Sequence, residues 1–256
     1  MNAAERRMEI FRLLQENQSV EVMELAARFD VTPMTIRRDL AVFEKQGLIT
    51  TNYGGAYLNK GASIEPSFSI KSTQCIDKKQ MIGYEAAKMV QDGDVIIIDC
   101  GTTTLQLAKY LKGKKLTVIT NSWPVVSFLG GLPKIKLLLA PGEYDDISAG
   151  TFGISTAKFI EKFHADKVFM GTHGCSLEQG ASVPEMFDAE MKSVLLAAGK
   201  EKILMVDHTK FGVKCLAKHA GLSDFDCIIT DDGIEPEMEE MIRGNCRRLI
   251  VAQGMQ

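Results

Sequence analysis

From position 95 onward the chain alternates short apolar runs with helical stretches, and this alternation limits the fold more than any other feature. Val95-Ile96-Ile97-Ile98 is a continuous β-branched run, the mark of a strand covered on both faces. Leu116 to Thr120, Ile135 to Ala140, Lys167 to Met170, Lys202 to Val206, Cys227 to Thr230 and Leu249 to Val251 repeat the pattern. Helical spacing fills the intervals at Leu105 to Leu111, Pro124 to Leu129, Ile154 to Phe163, Ala189 to Ala198 and Pro236 to Ile242. Ile76 to Val90 precedes them, with Ile82, Ala86, Ala87 and Val90 apolar. Strands that alternate with helices predict an α/β domain around a mainly parallel sheet.

The first 57 residues follow another plan. Ala4 to Glu16 has apolar residues at Met8, Phe11 and Leu14, with Ile10 and Leu13 beside them, as in an amphipathic helix. Asn17-Gln18-Ser19 breaks it, and Val20 to Phe29 reads as a second helix. After a tight Asp30-Val31-Thr32 connection, Thr32 is a good N-cap and Pro33 stands where proline costs a helix nothing. Ile36, Leu40 and Phe43 form one stripe; Met34, Thr35, Arg37 and Arg38 fall away from it. Adjacent arginines on the open side of a second short helix suit a DNA major groove, where phosphates take charge and guanine edges take a forked donor. This is a helix-turn-helix. Gly47 ends the helix, Leu48 to Thr51 reads as a strand, and Tyr53-Gly54-Gly55-Ala56-Tyr57 as a turn and return strand, the wing of a winged helix. Candidate DNA contacts are Thr32, Met34, Thr35, Arg37, Arg38, Tyr53, Gly54 and Gly55. A solvated helix and an ordinary hairpin remain open alternatives, because the segment holds seven Lys/Arg against eight Asp/Glu. DNA binding therefore depends on where the charges sit.

The 256 residues divide into a DNA-binding domain at 1–57, a linker at 58–75 with Gly61 and Pro66, and an α/β domain at 76–256. A 45% hydrophobic, 25% charged composition fits a soluble globular protein. No apolar run reaches the roughly 18 residues of a membrane span, and Met1 to Arg12 lacks a signal-peptide core. Six cysteines contain no C-x-x-C pair, so no zinc site or disulfide framework is expected. These features place the chain in the cytoplasm, with no cofactor, no metal and no membrane partner expected.

In open α/β sheets ligands bind beyond the carboxyl ends of the strands. After the first strand come Asp99, Gly101, Thr102, Thr103 and Thr104. Gly101 lets the backbone approach a ligand, the threonines offer hydroxyls, and the following helix offers unpaired N–H groups, which together suit a phosphate. One threonine would suffice as a cap. The stretch is neither a Walker A loop nor a G-x-G-x-x-G fingerprint. Thr120-Asn121-Ser122 follows the second strand, Gly171-Thr172-His173-Gly174 a later one, and Asp207-His208-Thr209-Lys210-Phe211-Gly212 another. His173 could donate to a sugar hydroxyl or carry a proton, and an exposed loop histidine is the plainer alternative. Lys210 could supply a phosphate counter-charge, with a surface ion pair as its alternative. Effector candidates are Asp99, Gly101, Thr102, Thr103, Thr104, Thr120, Asn121, His173 and Lys210. Asp188, Glu190 and Lys192 lie on or near one helix, where a solvated face is expected for at least one of them.

Val20-Glu21-Val22-Met23-Glu24-Leu25-Ala26, Thr35-Ile36-Arg37-Arg38-Asp39-Leu40, Gly47-Leu48-Ile49 and Tyr53-Gly54-Gly55-Ala56 together resemble the DNA-binding domain of the DeoR family of bacterial transcriptional regulators. Asp99-x-Gly101-Thr102-Thr103-Thr104, Thr120-Asn121-Ser122 and Asp207-x-Thr209-Lys210-Phe211-Gly212 extend the resemblance through nearly the whole chain. Thr32 stands where the family usually has Ser, and Thr51-Asn52-Tyr53 where it often has Arg-x-His. Ala140-Pro141-Gly142 replaces a common Leu-Gly-Gly, and His208 a usual Ser. The resemblance implies a ribose-5-phosphate isomerase-like fold and a phosphorylated sugar as effector. The expected function is a repressor of a carbohydrate operon, not an enzyme, acting on operator DNA as a homo-oligomer, dimer or tetramer. Two other readings stay open: a sugar-phosphate isomerase fused to a DNA-binding domain, and a DNA-binding protein whose α/β domain only oligomerises.

Overall fold

The structure, a computed structural model, describes residues 2–45, 48–58 and 67–254. Gly47, expected to end the third helix, and Gly61 and Pro66 of the expected linker lie outside the described residues. The chain divides into two compact units, Met1–Thr73 and Gln74–Gln256.

The first unit opens with α1 (Ala3–Asn17), fixed by a capping box in which Asn2 Oδ1 accepts from Glu5 N–H and the Glu5 carboxylate accepts from Asn2 N–H. β1 (Ser19–Glu21), α2 (Val22–Phe29), α3 (Pro33–Lys45), β2 (Ile49–Thr51), β3 (Gly55–Leu58) and α4 (Phe68–Lys71) follow. The helix expected from Val20 starts at Val22 instead. Val20 and Glu21 pair antiparallel with Ala56 and Gly55, so the wing has three strands in the order β1-β3-β2. β-branched Val20 turns inward there, and Ser19 and Glu21 face out. Ile10 and Leu14 of α1, Leu25 of α2 and Ile36, Leu40 and Phe43 of α3 form the core. Each such side chain contributes about 1.5–3 kcal/mol on burial. The segment expected to be linker contributes too: Ile70 of α4 joins this core.

The second unit runs α5 (Ile76–Lys88), β4 (Val95–Ile98), α6 (Thr102–Lys109), β5 (Leu116–Thr120), α7 (Trp123–Leu129), β6 (Ile135–Leu139), β7 (Glu143–Asp145), β8 (Gly150–Phe152), α8 (Ile154–Ile160) and β9 (Ala165–Met170). It continues β10 (Gly174–Ser176), β11 (Gly180–Val183), α9 (Met186–Ala197), β12 (Gly199–Met205), β13 (Ala217–Ala220), β14 (Cys227–Asp231), α10 (Pro236–Asn245) and β15 (Leu249–Ala252). Seven strands form one wholly parallel sheet in the order β15-β14-β12-β9-β4-β5-β6. Its faces separate two cores. Ile97, Val168, Leu204 and Ile228 point to one, with Ile160, Leu195 and Ile242 from α8, α9 and α10. Ile96, Ile98, Phe169, Ile203 and Ile229 point to the other, with Ile82, Leu107 and Val125 from α5, α6 and α7. Burial on both faces is what the continuous apolar runs require.

From β4 the chain winds outward through β5 and β6, then returns to place β9 on the other side of β4 and winds away through β12, β14 and β15. The direction reverses between β4 and β9. In such sheets the crevice for ligands opens at this reversal, beyond the carboxyl ends of the strands. Two antiparallel additions, the β7–β8 hairpin and the sheet β10-β11-β13, were not expected from the sequence.

Candidate functional site

α3 carries the candidate DNA face. Thr32 Oγ1 accepts from Thr35 N–H at 3.3 Å and lies 3.0 Å from Thr35 Oγ1, which caps the helix as its sequence implied. Ile36, Asp39, Leu40 and Phe43 are buried, and Met34, Arg37 and Arg38 are exposed. Neither arginine makes a hydrogen bond or ion pair among the described residues. Asp39 instead faces inward. Its carboxylate accepts from Arg6 Nε at 2.6 Å and from Arg7 Nε at 2.7 Å, tying α1 to the inner side of α3. Arg37 and Arg38, just before Asp39 in sequence, stay on the exposed side of the helix.

The wing departs from expectation at Gly55. This residue is buried, and a Cβ there would lie 2.1 Å from the Val20 carbonyl oxygen. Glycine is needed so that β3 can lie against β1, which gives Gly55 a packing role within the wing. Gly54 is open, and Tyr53 at the tip is fully exposed. Asn52 Oδ1 accepts from Gly54 and Gly55 N–H, which builds the turn.

At the carboxyl edge of the parallel sheet, Asp99 and Asn121 follow neighbouring strands whose last residues, Ile98 and Thr120, are partners. α6 starts at Thr102, three residues earlier than expected, with Gly101 as an N-cap that offers no side-chain hydrogen bond. The first N–H groups of α6 therefore open at the reversal point. The hydroxyls of Thr102 and Thr103 make no hydrogen bond among the described residues. Thr104 corrects the expectation: its Oγ1 donates inward, 2.8 Å from Asp99 O and 3.0 Å from Gly101 O, and the side chain is fully buried. Thr120 is likewise internal, donating to Ile98 O at 2.6 Å and accepting from Ser122 N–H at 3.0 Å. Both close the loops around the site and do not reach into it. Asn121 donates to Thr151 O at 3.2 Å, while its Oδ1 is buried with no hydrogen-bond partner among the described residues. His173 is half-buried and its N–H donates to Ser182 O. Lys210 is half-buried at the end of a 3-10 turn (His208–Lys210) that Asp207 caps.

Lys192 and Asp188, which form a buried charge cluster with Asp99 at the reversal point, were missing from the sequence-based site. Lys192, on α9, donates to Asp99 Oδ2 at 2.5 Å and stands 3.8 Å from Asp188 Oδ1. Asp99 Oδ2 also accepts from Gly171 N–H at 3.1 Å, so one carboxylate joins the loops after β4 and β9. Asp99 Oδ1 is buried with no hydrogen-bond partner among the described residues. Burial alone would depress the Lys192 pKa; the carboxylates of Asp188 and Asp99 outweigh it and hold the ammonium charged. Only Glu190 of the three charges on this helix is solvated. Nothing local reveals Lys192, whose partner is 93 residues away; the i, i+4 spacing from Asp188 is its sole sequence signal. His219 on β13 lies beside this cluster. Its Nε2 is 3.1 Å from Thr172 Oγ1, whose own proton faces Ser182 O at 2.8 Å, so the imidazole is the donor. Burial, reinforced by Lys192, pushes its pKa down to about 3.

Comparison with known proteins meets these two units separately. Residues 6–62 match the DeoR-like helix-turn-helix domain, and residues 74–232 match the DeoR C terminal sensor domain. The chain belongs to the DeoR family of transcriptional regulators. Among relatives of this DeoR-family chain is the HTH-type transcriptional regulator GolR of Listeria innocua, 35% identical over 90% of this chain and 91% of its own. The putative aga operon transcriptional repressor of Escherichia coli O157:H7 is 31% identical over 94% and 90%. The lactose phosphotransferase system repressor of Staphylococcus epidermidis is 30% identical over 91% and 93%. Among solved structures, ribose 5-phosphate isomerase A of Methanocaldococcus jannaschii covers 52% of this DeoR-family chain and 53% of its own, at 16% identity and a TM-score of 0.39. That likeness is too low to bear on function. Among the described residues no helix is long and apolar enough to cross a membrane.

Proposed function

We propose that this DeoR-family regulator represses a carbohydrate operon, and that a phosphorylated sugar at the reversal point of its parallel sheet lowers its affinity for operator DNA. One observation carries the reading: the uncapped start of α6 follows the same strand end as Asp99, and the Oδ1 atoms of Asp99 and of Asn121, after the neighbouring strand, are buried with no hydrogen-bond partner among the described residues. A phosphate takes the free N–H groups and positive end of the helix. Sugar hydroxyls supply the donors those two oxygens lack. Lys210, on the loop after β12, supplies the counter-charge. On the first unit, α3 lies in the major groove with Arg37 and Arg38 toward the DNA, and Tyr53 and Gly54 of the wing touch the backbone. The protein acts in the cytoplasm as a homo-oligomer, dimer or tetramer, so that two winged domains meet a two-part operator. The relatives' names speak for regulation and not catalysis. A sugar that controls this equilibrium must bind the two arrangements with affinities that differ by ~1–3 kcal/mol.

Titration calorimetry of pentose and hexose phosphates against their unphosphorylated parents tests the effector. Wild type should bind only a phosphorylated member. Thr103→Ala should lose roughly 0.5–1.5 kcal/mol of that affinity, and Lys210→Ala more. Equal affinity for a sugar and its phosphate, or wild-type affinity in both variants, removes the phosphate site.

A further inference from the structure

α5 begins in a conformation that its sequence does not favour. Its N-cap residue, Cys75, lies in the left-handed region at φ 48° and ψ 38°, and its side chain caps no N–H. That region costs a non-glycine residue free energy and persists only where its surroundings hold it. Cys75 is also the second residue of the sensor unit, just after the chain leaves the DNA-binding unit at Thr73. The sheet edge holds the turn. Lys78 Nζ pairs with Asp232 Oδ1. Its neighbour Asp231, fully buried, accepts from His208 N–H at 2.9 Å, from His208 Nδ1 at 2.8 Å and from Gly233 N–H at 2.9 Å. The His208 ring fits because residue 233 is glycine; a Cβ there would lie 2.6 Å from Nδ1. His208 opens the same 3-10 turn that Lys210 closes. Residues 231 and 232 thus hold the Lys210 turn on one side and the first turn of α5 on the other.

We propose that the first turn of α5, from Cys75 to Lys79, is the element through which occupancy at Lys210 is passed toward the DNA-binding unit. This rests on the phosphate reading given above. The Cys75 thiol is a built-in reporter. Burial raises its pKa, Asp207 adds to the rise, Lys79 and Lys210 oppose it, and Asp231 adds again. A dianion on Lys210 cancels one of the two opposing charges and further disfavours the thiolate, which is the reactive form. Movement of the Lys210 turn is carried by His208 to Asp231, and by Asp232 to Lys78.

The test is the alkylation rate of Cys75 in the full chain, read by peptide mass. Inorganic phosphate is titrated against chloride at matched ionic strength, and thermal stability is followed in parallel. Phosphate should raise Tm and slow Cys75 by about threefold or more, the order expected for one screened charge. Cys246, the other half-buried thiol, should keep its rate. Lys210→Met should be slow from the start and blind to phosphate. Asp232→Asn, which leaves every proposed phosphate contact and the Lys210 charge in place, should keep the Tm rise and the slowing of Cys75 but lose the fall in operator affinity that phosphate causes in wild type, because the link to Lys78 is cut. A Tm rise with an unchanged Cys75 rate, or an operator affinity that responds to phosphate in Asp232→Asn as it does in wild type, overturns the coupling and leaves the phosphate site standing. Absence of any Tm rise removes the site and the coupling together.

Discussion

His219 and Lys192 are adjacent charge problems with opposite solutions. Lys192 keeps its proton because two carboxylates share its pocket, and His219 is held neutral because burial and that same ammonium oppose a second positive charge. The linkage for His219 has a definite sign. Its folded pKa, about 3, lies below the ordinary 6.5, so between these values the unfolded chain binds a proton that the folded chain refuses. Stability should fall as pH drops through 6.5 toward 3, with His219 contributing about 2 kcal/mol of the loss between pH 7 and pH 5. Urea midpoints of wild type and His219→Gln at the two pH values measure it. An equally steep fall in the variant would assign the acid sensitivity elsewhere. Lys192→Met should cost about 3–5 kcal/mol because it strands a buried carboxylate. Adding Asp99→Asn should recover part of that loss in the same denaturation assay. On α3, Arg37→Ala or Arg38→Ala should leave stability nearly unchanged. A base-reading arginine should cost ~1–3 kcal/mol of operator affinity, and a phosphate-reading one should flatten the salt dependence. Gel-shift titrations at two salt concentrations distinguish the two, and unchanged affinity in both variants would refute the assignment of α3.

At the level of elements, contact distance decides which positions tolerate change. α5 and α6 approach so closely that a Cβ on Gly83 would stand 2.6 Å from the main-chain carbonyl carbon of Gln106. Gly83→Val should therefore push the helices apart and destabilise the sensor unit by roughly 1–3 kcal/mol, the usual cost of overpacking; a thermal midpoint equal to wild type would contradict it. The seven parallel strands were legible in the sequence because each carries a short apolar run, unbroken where both faces are buried, as Val95 to Ile98 shows. α3 was legible because Thr32, Pro33 and the Ile36–Leu40–Phe43 stripe agree. Several strands of three residues outside that sheet were not. Ser19–Glu21, Glu143–Asp145 and Gly174–Ser176 are too short for a period to declare itself, and Val20 fits a helical face as well as a strand. At the site, Gly101 and Asp99 could be found from their place after a strand. Thr104 and Thr120 could not be separated from ligand-facing hydroxyls, since sequence position does not tell which way a side chain turns. Lys192 was hidden because a charged helical position looks solvated until the partner across the sheet is known.

The whole molecule joins two units with separate cores: Ile10, Leu40 and Phe43 belong to one, and the two faces of the parallel sheet to the other. Each unit has its own architecture and its own matching family domain. A fragment from Gln74 to the C-terminus should therefore fold without the DNA-binding unit and show a single cooperative unfolding transition. It should also keep the effector, because Asp99, the start of α6, Asn121, Lys192 and Lys210 all lie within it. At a hundredfold excess over Kd, a ligand that binds only the folded form adds about 2.7 kcal/mol of stability. For a unit of this size that is roughly 5–10 °C in Tm. The fragment and the full chain should show the same shift with the same sugar phosphate. In the full chain that ligand should also weaken operator binding, and Lys210→Ala should remain bound to operator in its presence while binding as tightly as wild type in its absence. A fragment that aggregates where the full chain stays soluble would place the unit boundary elsewhere. A fragment that folds but has lost the ligand would show that the DNA-binding unit helps to form the site.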